Sequence, residues 1–262
     1  MDFDLSEEQV ALQEVARDFL RERWSPDRMR QALDAMPAAI DDEVWKEIVS
    51  MGWLGVAASE DAGGFGGDVM TAAVLAEEAG RGLLPGPFLS SLVSAIAIER
   101  SGDASLRASL LPELIDGRRR VTLAVEEPGG AWGPDAVALE AREDSGSWSL
   151  CGTKILVPDA ESAELVLVAA RTPSGLGLVQ VPVTAQGLTR NPMRRMDAQS
   201  ASELLFENVR VGQDALLGGA TRAEPTLRET YEIWSVLCAA DLLGSAEAAL
   251  AMTTQSLRCR VT

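Results

Sequence analysis

The sequence predicts an α+β multi-domain protein, and three observations carry that prediction. Apolar residues recur at helical spacing from the N-terminus to about residue 117, alternate in short runs from about 121 to 211, and return to helical spacing after Gly218 and Gly219. The expected layout is an N-terminal helical domain at 1–117, a central β-barrel or sandwich domain at 118–220, and the start of a C-terminal helical domain at 221–262.

The helical part opens with a capping box, Ser6 with Gln9, ahead of Val10, Leu12, Val15, Ala16, Phe19 and Leu20 at helical spacing. Pro26 starts a shorter helix. Asp41 and Asp42 are placed to cap the next, which carries Val44, Trp45, Ile48 and Val49 and ends at Gly52. Four glycines, Gly63, Gly64, Gly66 and Gly67, then make a loop. Helices are expected at 69–79, up to 98 after the break LLPGPF, and at 106–115, with Gly117 as the stop.

The runs VTLAV, VALEA, ELVLVAA, GLVQV and ELLFENVRV read as strands, with REDSGSWS as a hairpin turn, for about seven strands in all. From Glu224 onward one long helix is expected, with Pro225 at its N-terminus where proline is tolerated. At ~1.5 Å per residue it would run roughly 58 Å. Its middle, IWSVLCAADLL, is apolar on nearly every face, so it should be buried among other helices, which the remaining residues do not supply. The helical pattern continues to Thr262 without a stop signal.

Composition narrows the chemistry. A net charge of −17 argues against a nucleic-acid or anionic-membrane surface. No uninterrupted apolar run approaches the ~20 residues that span a bilayer. The acidic start MDFDLSEEQ lacks the basic region of a signal peptide, and Cys151, Cys238 and Cys259 suggest neither disulfides nor a zinc site, so a cytoplasmic protein without a metal centre is expected. The sequence contains no histidine, which removes Ser-His-Asp and Cys-His catalysis. Acid-base work would fall to carboxylates, Lys, Cys, the single Tyr231 or a cofactor. Composition alone leaves a cofactor enzyme and a protein without chemistry equally open.

Five stretches go further: MDFDLSEEQ; WKEIVSMGWLGVAASEDAGGFGG followed by EEAGRGLLPGP; LLPELIDGRRRVTLAVEEPGG; LCGTKILVPDAESAELVLVAAR; and MDAQSASELLFENVRV. In this order and spacing they resemble the acyl-CoA dehydrogenase family across the whole chain. The resemblance implies a helical domain, a β domain and the first helix of a four-helix bundle. It also implies FAD bound between β domain and bundle, and a homo- or hetero-oligomer. The reaction it implies is α,β-dehydrogenation of an acyl-CoA thioester, in which a glutamate takes the α-proton and flavin takes the β-hydride before passing electrons to an acceptor flavoprotein.

Carried over position by position, the resemblance gives cofactor-binding roles to Val125, Glu126, Ile155, Val157, Arg260 and Thr262, and substrate-binding roles to Trp132, Tyr231 and Glu232. The departures are specific. Glu126 stands where the family's T-E-P-G has a flavin-contacting Thr, and Ile155, Leu156 and Val157 replace W-I-[TS]. Glu126 reads equally as a solvated turn carboxylate, Ile155 to Val157 as a buried strand, and Arg260 as a solvated residue. The final Arg-x-Thr matches the start of R-x-[TQ]-F-G. Ser235 replaces a substrate-contacting Arg, and Trp234 occupies the place of one branch's catalytic glutamate, so no catalytic base is recognisable. Glu232, two residues from Trp234, points some 200° away around the helix. The altered motifs resemble those of subunits in actinobacterial heteromeric members. Three expectations follow: a flavoprotein subunit acting with a partner chain on a fatty or sterol acyl-CoA, a non-catalytic partner of such an enzyme, and a truncated remnant.

Overall fold

The computed structural model describes residues 4–35, 40–197 and 199–260. Seven α-helices come first: α1 (Glu7–Arg23), α2 (Pro26–Ala35), α3 (Asp42–Ser50), α4 (Val69–Arg81), α5 (Phe88–Arg100), α6 (Ala104–Ser109) and α7 (Leu111–Ile115). The capping box forms as expected, with Ser6 Oγ accepting from Gln9 N–H and Gln9 Oε1 from Ser6 N–H. Asp41 caps α3 through Val44 N–H. The single helix expected at 106–115 is two, because α7 restarts at Leu111 with Pro112 in its first turn. Helix α5 is buried on all sides, and Trp53 sits edge-on between Phe19 and Phe88.

Seven strands follow: β1 (Val121–Ala124), β2 (Glu140–Asp144), β3 (Ser147–Pro158), β4 (Leu165–Thr172), β5 (Gly175–Pro182), β6 (Leu188–Met193) and β7 (Ala201–Gly212). They form one sheet in the order β1-β4-β2-β3-β7-β6 with β5 on the free edge of β4, a curled half-barrel and not a two-sheet sandwich. The predicted hairpin joins β2 to β3 through Ser145 and Gly146, both at positive φ, the two-residue geometry that suits sheet twist. The run VALEA is strand only from Glu140, because the N–H groups of Ala138 and Leu139 go to the Glu127 carboxylate and not to a neighbouring strand. Strand β4 is buried on both faces. Leu165, Leu167 and Ala169 join the helical core, and Val166, Val168 and Ala170 fill the inside of the half-barrel.

The long helix α8 runs Gly219–Arg260, starting five residues earlier than the sequence suggested. Pro225 therefore lies inside it, in the second turn, where it has no N–H to give to the Thr221 carbonyl four residues earlier. The burial expected for the helix is one-sided. Leu227, Ile233 and Leu237 are buried, while Val236, Leu243, Leu250, Met252 and Leu257 are 49% to 71% exposed. By length and composition the span Gly219–Cys259 could cross a bilayer, with an apolar window of mean hydropathy 1.4 that counting uninterrupted apolar runs misses. Here one face of that helix packs on α4 and the sheet.

The approach of α8 to α4 is set by glycine. A Cβ on Gly80 would lie 1.9 Å from the Asp241 carbonyl oxygen, and one on Gly244 would lie 1.8 Å from that of Glu77. Ser245 Oγ donates to Gly80 O at 2.9 Å. Beside the crossing, the buried Glu78 accepts from Arg17 at 2.6 Å and from Arg81 at 3.2 Å, and Arg81 also pairs with Glu247 of α8. Gly244→Ala should destabilise the chain by about 1–3 kcal/mol through overpacking, although alanine is the better helix former by about 1 kcal/mol. Urea unfolding measures this, and a variant as stable as the parent would contradict the close crossing.

Candidate functional site

A cavity of about 370 Å³ lies where β1 and β3 face α8, within the usual size range of a ligand pocket. Its walls bring together five of the predicted residues, Val125, Glu126, Trp132, Ile155 and Tyr231, with Leu156, Trp234, Ser235 and Cys238. A larger groove of about 670 Å³ between residues 6–12 and 65–68 contains none of them.

The sheet wall is built by two devices. Lys154, fully buried, donates to Val125 O at 2.8 Å and to the Glu127 carboxylate at 2.6 Å, so the segment leaving β1 is fixed. Burial lowers the Lys154 pKa and the Glu127 carboxylate opposes that, as a desolvated cation requires. The second device is an irregularity in β3 between Lys154 and Val157, with Leu156 at φ 54. It turns Ile155 and Leu156 to the cavity wall while Val157 enters the core of the half-barrel at 1% exposure. Val157 is thus corrected from a cofactor contact to a core residue.

Glu126 is not a solvated turn carboxylate. Tyr231 Oη donates to its Oε1 at 2.9 Å, and Gly133 N–H donates to its Oε2 at 3.3 Å. Gly133 sits at φ 85, and a Cβ there would press on the Tyr231 ring at 3.3 Å. The bond ties the sheet to α8 across 105 residues of sequence. Partial burial and the Glu126 charge push the Tyr231 hydroxyl up to about 12, so it remains a donor. Trp132 is 63% exposed and stands at the cavity mouth.

One further prediction is corrected. Glu232 is exposed and is not among the residues that wall the cavity. Arg260 ends α8 29 residues beyond Tyr231, about 43 Å along the axis at ~1.5 Å per residue. The Arg260 side chain and Thr262 lie outside the described residues.

A second cavity of about 330 Å³ adjoins it, with Leu156, Arg195, Trp234 and Cys238 lining both. Sequence reasoning missed its polar residues. Asp159 follows β3, is held by Ser90 Oγ at 2.7 Å, and is pushed up to about 6 by burial against that hydrogen bond and the positive charges of Arg195 and Arg120. Asp241 of α8 is pushed up to about 6 by burial alone. Arg195 is held by Asp197. The helical spacing of Trp234, Cys238 and Asp241 was the one available signal, since i, i+4 and i+7 share a face. Among the described residues no group of His, Cys, Asp and Glu could hold a metal ion.

Comparison with known proteins agrees with this architecture. Residues 6–118 match the family model "Acyl-CoA dehydrogenase, N-terminal domain". The mitochondrial long-chain specific acyl-CoA dehydrogenase of Sus scrofa is 28% identical over 225 residues, covering 81% of this chain and 52% of that protein. The solved Tcur3481–Tcur3483 steroid ACAD is 35% identical with a TM-score of 0.85, over 95% of this chain and 66% of that one. The ChsE4–ChsE5 complex from Mycobacterium tuberculosis shares the fold at a TM-score of 0.88 and 24% identity, over 97% and 68%. The chain belongs to the acyl-CoA dehydrogenase family. It spans about half the length of the curated relatives it matches.

Asp159 gives a test of the site's electrostatics. Its pKa of about 6 in the fold lies above the ordinary aspartate value of about 3.9, so the folded state favours the neutral acid. No penalty exists below about pH 4, where both states are protonated, and stability from this group is lost as pH rises to about 6. Asn keeps an acceptor for Ser90 and tolerates the φ of 52. Asp159→Asn should therefore be more stable than the parent by about 1–3 kcal/mol at pH 8, with no difference near pH 4. A pH-independent difference in denaturation midpoint would contradict this assignment.

Proposed function

We propose that this chain is a subunit of an FAD-dependent acyl-CoA dehydrogenase that forms an α,β-double bond in a bulky acyl-CoA thioester together with a second, related chain. The observation that carries the reading is the two-cavity cleft between the sheet and α8. Family membership supports it, as does likeness to proteins whose names record a steroid substrate class and a two-protein complex.

The residues present fit a flavin ring in part. Val125, Ile155 and Leu156 offer an apolar face, with hydrogen-bonding groups of Glu126 and Tyr231 at its edge. FAD, when bound, supplies the hydride acceptor. The chain's own residues exclude water from that face, and Tyr231 and Gly133 hold the Glu126 carboxylate in place. The α-proton needs a base, and Trp234 and Ser235, which line the cavity, cannot serve. The exposed apolar stripe on α8 is the surface the second, related chain would cover.

A second reading, a non-catalytic partner, is favoured by Glu126 itself, whose negative charge is a poor neighbour for an anionic reduced flavin. Flavin absorbance of the purified chain separates the two. Glu126→Thr with Ile155→Trp should tighten FAD binding about tenfold or more, whereas Tyr231→Phe, which removes only the tie to α8, should not. An unchanged dissociation constant in the double variant would show that these positions do not contact flavin.

A further inference from the structure

Resting on the acyl-CoA reading, we propose that residues 128–132 form a strap across the cavity mouth, which closes on the bound thioester and lowers Trp132 onto it. The two feet of the strap stand on opposite walls of the cleft. At the sheet foot, Lys154 of β3 holds the Glu127 carboxylate at 2.6 Å, and that carboxylate also takes the N–H groups of Ala138 and Leu139. At the helix foot, Arg228 of α8 reaches Asp135 at 2.8 Å, and Gly133 lies beside the Tyr231 ring. Glu126 joins the two, since it accepts from both Gly133 N–H and Tyr231 Oη.

Between the feet little holds the chain. Residues 128–132 are all exposed, and neither Ala131 nor Trp132 makes a hydrogen bond among the described residues. Gly129 and Gly130 stand at φ 126 and 79, and a Cβ on either would meet nothing within 4 Å. These glycines therefore serve backbone conformation and not close packing. Fixed ends with a glycine pair between them make a flap that swings while both walls of the cleft stay in place.

Trp132 supplies the reason to close. Its indole lines the cavity yet is 63% exposed, the most exposed of the six tryptophans. Lowering it onto an acyl-CoA takes apolar surface of the ring and of the ligand out of water together. Closure also caps the apolar wall of Val125 and Ile155 from the solvent side.

The same exposure supplies the test. Trp24, Trp45, Trp53 and Trp148 are 2% to 6% exposed and Trp234 is half-buried, so acrylamide quenching of fluorescence reads chiefly Trp132. Trp132→Phe gives the background. The full chain supplied with FAD is titrated with decanoyl-CoA and with a steroid side-chain CoA thioester, and isothermal titration records binding separately. As a thioester binds, the quenching constant assigned to Trp132 should fall about fivefold, the change from an exposed to a covered indole. Tyr231→Phe, which frees the helix foot from Glu126, should still bind the thioester but retain less of this protection. Circular dichroism of both variants confirms folding. Thioester binding with unchanged quenching of Trp132, or full protection in Tyr231→Phe, would overturn the inference and leave the acyl-CoA reading intact. Binding of neither thioester would overturn that reading and this inference with it.

Discussion

The close crossing of α4 and α8 is the constraint on which the rest of the structure depends. Gly80 and Gly244 let the two backbones touch where any side chain would hold them apart. At that separation Ser245 reaches the Gly80 carbonyl, and the charges of Arg17, Glu78, Arg81 and Glu247 close around the contact. A buried carboxylate with two guanidinium partners adds little net stability, but it fixes the arrangement, because removing any one partner strands a charge. The direction of α8 is thereby set, and with it the placement of Tyr231, Trp234, Cys238 and Asp241 over the sheet. The cleft is a consequence of a helix that cannot sit elsewhere.

The opposite wall is specified as tightly by different means. A fully buried lysine is costly unless its ammonium is satisfied, and Lys154 is satisfied by Val125 O and Glu127 together. Glu127 in turn takes the N–H groups of Ala138 and Leu139, so one carboxylate organises three segments. With that clamp below it, β3 can hold Leu156 at positive φ, which a strand would not otherwise keep. The segment leaving β1 and the helix α8 then meet through the hydrogen bond from Tyr231 to Glu126.

Much of this was legible in the sequence because the signals are local. Capping residues, the Ser145-Gly146 hairpin and the change from helical to alternating period each act over a few residues, and each appears where it was read. What failed was nonlocal or depended on geometry. Val157 looked equivalent to Ile155, two residues away in a strand, until the irregularity between them reversed its direction. The Glu126–Tyr231 bond joins residues 105 apart, and no periodicity encodes it. Glu232 was assigned by resemblance, although its own position on the helix already argued against a role in the cleft. Asp241 was passed over as one more charge on a helix, because desolvation is a property of what packs around a residue and not of its neighbours in sequence.

That distinction also explains why the polar residues of the second cavity bear on function. A fold under no other demand would place Leu or Phe at a site walled by Leu84, Phe88 and Leu89, and would gain stability by it. Instead Asp159 and Asp241 are kept where burial works against their charge, and Gly86 leaves space against Asp159 that a Cβ would fill at 1.9 Å from its carboxylate. Ser90 answers one of the two within the chain. Local unfavourable choices in an otherwise consistent structure mark the places where something other than stability decides. Asp159, buried and answered by Ser90, is such a place.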